Sequence, residues 1–179
     1  RKESEKAVKF LCDKGHKKIA VLAAGKSDQS ISKLRIEGYR NALKSKGIDI
    51  NEKLIRHTKN NENIQVIENG YKLMNELLES GEEFTAVYSI SDSMAIGACK
   101  AILDSGKRIP QDYSVVGFDG LDITYYYNPS ITTIRQPVEA MARETTKILF
   151  DLINNKATNQ HKVFEAELVE RESTLKLSK

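Results

Sequence analysis

The chain has 179 residues, 40% hydrophobic and 30% charged, with ten glycines, three prolines and a net charge of +3. That length suits one ordinary domain with a sizeable core, and the composition excludes a fibrous or disordered chain. Basic and acidic residues are interspersed, so no patch predicts nucleic acid contact. The longest apolar runs are far shorter than the ~20 residues of a membrane span.

The chain opens Arg-Lys-Glu-Ser inside an apparent helix, with neither an initiator Met nor a signal peptide, and is expected to be part of a longer protein. The first helix, 3–14, places Ala7, Val8, Leu11 and Cys12 on one face, and Gly15 ends it. Ile19 to Ala23 is a continuous apolar run and reads as a buried strand. A helix near 31–46 would use Ile31, Leu34, Ala42 and Leu43 as its apolar face before stopping at Gly47. A short strand is possible around 54–58. Helix 64–80 is the most periodic stretch, with Ile64, Ile67, Tyr71, Met74 and Leu78 as its core stripe.

Two apolar runs, 85–90 and 114–118, flank an amphipathic helix over 92–106 and form a βαβ unit. Neither run alternates polar with apolar residues, so both faces of these strands should be covered. Residues 120–130 read as a loop holding Tyr125 to Tyr127, and 132–134 as a short extended segment. A helix then runs from Pro137 to about Asn154, with Val138, Met141, Thr145, Ile148 and Leu152 on its face, and a last strand covers 162–169. The alternation predicts an α/β fold with a doubly wound parallel sheet.

Enzyme and metal motifs are missing. The run from Ala20 to Ser27 resembles a phosphate-binding loop but carries Ala20 where the first glycine is needed, and Ser27 stands four residues before Ile31. No G-x-G-x-x-G or G-x-S-x-G occurs. His16, His57 and His161 lack metal-ligand spacing, and Cys12 and Cys99 read as separate reduced thiols. Topology instead selects a polar set at one sheet edge. Arg35 lies near the start of the helix after the first strand, Ser91 and Asp92 follow the strand at 85–90, and Asp119 follows the run at 114–118. A guanidinium and a carboxylate facing one crevice suit a ligand with several hydroxyls. Asp92 is also placed to N-cap the helix that follows it.

Several separated motifs resemble, in order and spacing, the effector-binding core of the lac/gal repressor family. They are Asp92-Ser-Met-Ala-Ile-Gly-Ala98, Gly106-Lys-Arg-Ile-Pro-Gln-Asp112, Ser114-Val-Val-Gly-Phe-Asp119 and Pro129-Ser-Ile-Thr-Thr-Ile-Arg-Gln-Pro137. The stretch from Ala7 to Ala20, Arg35-x2-Gly38-x3-Ala42-Leu43, and Glu170-Arg171-x-Ser173-Thr174 fit as well. The resemblance implies a periplasmic-binding-protein-like fold of type I within a cytoplasmic transcription regulator. Such a regulator has no catalysis and no cofactor.

The resemblance also implies a homodimer, a sugar or sugar-derivative effector, and operator DNA bound through a head absent from this sequence. Arg35 and Asp119 would be effector contacts, and Ser91 stands where many relatives carry Asn. Gln65 or a neighbour falls where relatives stack an aromatic on the ligand. Residues 1–134 would form the C-terminal lobe of the core. Residues 135–169 would be the crossover helix and strand of an N-terminal lobe otherwise missing, and 170–179 a return segment. Half a cleft is expected to bind effector weakly, and the helix from Pro137 to expose its apolar face. The alternative on sequence alone is a periplasmic sugar-binding protein of a transporter.

Overall fold

The structure is a computed structural model that describes residues 1–25, 31–58, 66–156 and 161–177. Its strands are Ile19–Ala23 (β1), Ile55–His57 (β2), Ala86–Ser89 (β3), Ser114–Asp119 (β4), Thr132–Arg135 (β5) and Glu167–Val169 (β6). Its α-helices are Lys2–Asp13 (α1), Ile31–Ser45 (α2), Ile67–Glu79 (α3), Asp92–Asp104 (α4), Ile123–Tyr126 (α5) and Val138–Ile153 (α6). The strands form one sheet in the order β2-β1-β3-β4-β5-β6, parallel throughout except for the β5–β6 pair. Every residue of β1 and β3 is buried, Ser89 included, as expected of strands whose two faces are both covered by helices.

Helices α1 and α2 pack together, as do α3 and α4. The strand order reverses between β1 and β3, which puts the two pairs on opposite faces of the sheet. The α3–α4 contact is a close approach of two backbones. A Cβ on Gly97 would lie 2.0 Å from the Ile67 carbonyl oxygen, and one on Gly70 would lie 2.0 Å from that of Met94. This contact corrects the core stripe expected for α3. The buried face is Gly70, Leu73, Met74 and Leu77, while Ile67 is 49% exposed and Ile64 lies outside the described residues. The glycine had to face α4, and that turned the larger Ile67 outward.

Two further expectations shift for physical reasons. The front of α2 buries Ser32 and Arg35, and leaves Ile31 and Leu34 about half exposed. The strand expected over 162–169 shrinks to β6, which pairs antiparallel with β5 at the edge of this sheet. Residues 167–169, expected in the second lobe's segment, therefore belong to the sheet described here. The C-terminal stretch closes over the same region. Ser173 donates its hydroxyl to Val115 O (2.6 Å) and accepts the Thr132 amide (2.8 Å). By contrast α6 buries none of its residues and exposes Val138, Leu149, Phe150 and Ile153.

Candidate functional site

The sheet order reverses between β1 and β3, so helices leave these two strands toward opposite sides and open a crevice at their C-terminal ends. Arg35 enters that edge from the second turn of α2. Its Nη1 donates to the carbonyl of Ile90, just past β3, and its Nη2 lies 3.4 Å from Asp119 Oδ1 at the end of β4. The guanidinium carbon sits 3.8 Å from the ring centre of Phe118, so the cation is stacked as well as hydrogen-bonded. Gln136 Nε2 donates to the same Asp119 oxygen at 2.8 Å, and the Gln136 amide donates to the Asp119 carbonyl at 3.1 Å. The two charged side chains are only 10% and 13% exposed.

Asp119 holds φ at +128°, a left-handed conformation disfavoured for any residue with a side chain. The strain sits where the carboxylate turns into the crevice. Arg35 and Asp119 are thus brought together as a fixed ion pair, oriented by a ring, a carbonyl and an amide. Such a pair offers donors and an acceptor side by side, which suits hydroxyl groups that both give and take hydrogen bonds.

The helix cap expected at Asp92 falls one residue earlier. Ser91, not Asp92, is the N-cap of α4, and its Oγ accepts the Met94 amide at 3.3 Å. Asp92 is the first residue of the helix. Its side chain turns away from the helix end to accept the amides of Gly120 (2.8 Å) and Leu121 (2.7 Å) and the hydroxyl of Thr133 (2.6 Å). Burial raises the Asp92 carboxyl above its usual range, against the opposing pull of those hydrogen bonds. Ser91 is wholly buried in its capping position. Gln65 lies outside the described residues.

Sequence reasoning did not single out Gln136, Phe118 or Thr133. Gln136 and Thr133 stand within the stretch Pro129–Pro137, and Phe118 directly precedes Asp119, so the signal was adjacency to a chosen residue. Among the described residues no helix is long and apolar enough to cross a membrane, and no group of three or more His, Cys, Asp or Glu is placed to hold a metal. Cys12 and Cys99 are free thiols.

The architecture is that of a doubly wound α/β domain with a buried Arg–Asp pair at the C-terminal edge of its strands. The chain belongs to the periplasmic binding protein-like domain family, whose model matches residues 8–174. It is 40% identical over 172 residues to the HTH-type transcriptional regulator MalR of Clostridium butyricum, covering 96% of this chain and 50% of that protein.

Among solved structures it is similar to a sugar-binding LacI-family regulator from Escherichia coli complexed with phosphate. That likeness has a TM-score of 0.87 and 34% identity, and covers 98% of this chain and 61% of the other. The transcriptional regulator CelR in complex with cellobiose matches with a TM-score of 0.84 and 32% identity, over 95% and 50% of the two chains. The matches fall in the effector-binding core of these LacI-family regulators. The chain spans about half the length of the curated relatives it matches.

Proposed function

We propose that this chain is the effector-sensing and dimerisation part of a cytoplasmic DNA-binding transcription regulator that responds to a small carbohydrate-type ligand, without catalysis. The observation that carries the reading is the buried Arg35–Asp119 pair at the switch-point edge. The carboxylate accepts from sugar hydroxyls while the guanidinium donates to their oxygens. Phe118, Ile90 and Gln136 fix both groups beforehand, so little ordering is left to oppose binding. Ser91 serves this site as the cap that sets the start of α4. The named relatives are regulators, which places this reading ahead of a transporter's sugar-binding component.

In this reading residues 1–134 form one lobe, and α6 belongs to a second lobe completed by further chain. Arg135 lies in β5 and Glu167–Val169 in β6, which supports a second-lobe segment of 136–166 and a return segment that begins at 167. The exposed apolar face of α6 supports that division. Calorimetric titration of the whole regulator with cellobiose and ribose tests the site. One of these sugars binds, and Arg35→Met and Asp119→Asn each weaken it by about tenfold or more, as loss of a charged hydrogen bond requires. Wild-type affinity in both variants would remove the pair from the site.

A further inference from the structure

Asp92 is a carboxylate with no exposed surface that neither caps its helix nor forms an ion pair with Arg35. A buried carboxylate is costly unless its oxygens are occupied. One oxygen takes two consecutive backbone amides, Gly120 at 2.8 Å and Leu121 at 2.7 Å. The other takes the Thr133 hydroxyl from β5 at 2.6 Å. The two amides converge because the chain runs through positive φ at Asp119 (+128°) and again at Gly120 (+82°), which aims successive N–H groups at one point. The sequence has cleared the path for the acid. Gly117 faces it across β4, and a Cβ there would stand 2.2 Å from Asp92 Oδ1.

We infer that Asp92 is the positioning residue of the effector site, its carboxyl oxygens serving as the fixed acceptors around which the turn after β4 folds to present Asp119. The inference rests on the reading of Asp119 as an effector contact. Asp92 acts through the backbone: it holds Gly120 and Leu121, and these hold the strained Asp119 at the angle that meets Arg35 and Gln136. Its role is distinct from that of Ser91, which closes the helix end.

The test is hydrogen exchange by mass spectrometry over residues 118–124 of the whole regulator, with titration of the same samples against cellobiose and ribose. Asp92→Ala and Gly117→Ala should each speed exchange in that segment about tenfold or more and weaken sugar binding by a similar factor, with β1 and β3 still protected. Asp92→Asn keeps an oxygen for the two amides and should retain both protection and most of the affinity. Gly117→Ala displaces the carboxylate without deleting it, so it decides the matter if Asp92→Ala does not fold. Wild-type protection of 118–124 in the alanine variants would overturn the inference. So would faster exchange with unchanged affinity, or an Asp92→Asn variant as impaired as Asp92→Ala. If the unaltered regulator bound neither sugar, the functional reading would fail for those ligands, while the exchange rates would still judge the hold of Asp92 on the turn.

Discussion

Replacing Gly97 with alanine sets two physical effects against each other, and the structure says which wins. Gly97 lies in the middle of α4, where alanine is favoured over glycine by about 1 kcal/mol on helix propensity alone. Propensity therefore predicts a more stable protein. A Cβ at this position, however, would stand 2.0 Å from Ile67 O and 2.6 Å from Tyr71 N, both main-chain atoms of α3 or its first turn. Ordinary contact begins at 3.4 Å, so the helices must part by about 1.4 Å along their tightest line. Neither colliding atom can rotate away. Overpacking of this kind costs about 1–3 kcal/mol, and a backbone clash falls at the upper end. The net expectation is a loss of about 2 kcal/mol, which in a chain of this size lowers Tm by about 4–8 °C. Thermal melts followed by circular dichroism measure it. An unchanged or raised Tm for Gly97→Ala would refute the backbone-to-backbone packing of α3 on α4.

Three other expectations follow from single features. Ser173→Ala leaves Val115 O and the Thr132 amide without their buried partner, and should cost about 1–3 kcal/mol in urea denaturation; an unaltered midpoint would show that the C-terminal stretch is not clamped there. His16 is 1% exposed, with Nε2 facing Leu175 O (3.0 Å) and Nδ1 facing Thr85 Oγ1 (2.8 Å), and burial lowers its pKa from the usual 6.5. A histidine whose folded value is depressed contributes stability that is full above its unfolded pKa and is lost as pH falls through the folded value. Stability should accordingly drop as pH falls below about 6.5, and His16→Gln should flatten that slope; an identical slope in the variant would assign it elsewhere. Finally, residues 1–179 expressed alone should self-associate through the bare face of α6, and Phe150→Glu should reduce that association in sedimentation velocity. In the whole regulator the same change should destabilise the fold instead, and an innocuous effect there would leave α6 without a covering lobe.

The sheet was legible in the sequence because strands buried on both faces are mostly apolar and do not alternate with polar residues, and the runs at 19–23, 85–90 and 114–118 fit that, with Thr85, Ser89 and Ser114 as small polar exceptions. Helix phase was harder to read. Hydrophobic periodicity in α3 favoured Ile67 and Tyr71, whereas the packing face is set by Gly70, which carries no hydrophobic signal. The front of α2 misled for a related reason. Its inward positions are the polar Ser32 and Arg35, so the apolar Ile31 and Leu34 look like the buried face and are not. That Arg35 and Asp119 meet at one edge was legible from topology, since strand ends in a doubly wound sheet share an edge. The division of labour between Ser91 and Asp92 was not, because either side chain can cap a helix and only the turn after β4 decides which one does. Gln136 escaped notice because its contact with Asp119 depends on β5 lying beside β4, a pairing between distant segments.

Electrophoretic retardation of the whole regulator's own promoter DNA, with and without cellobiose and ribose, tests the proposed function. The account predicts retardation that one sugar relieves or enhances, and an Asp119→Asn variant that still retards the DNA but no longer responds to that sugar. Tight sugar binding with no retardation under any condition would contradict it, and would assign the chain to a sugar-binding component of transport instead.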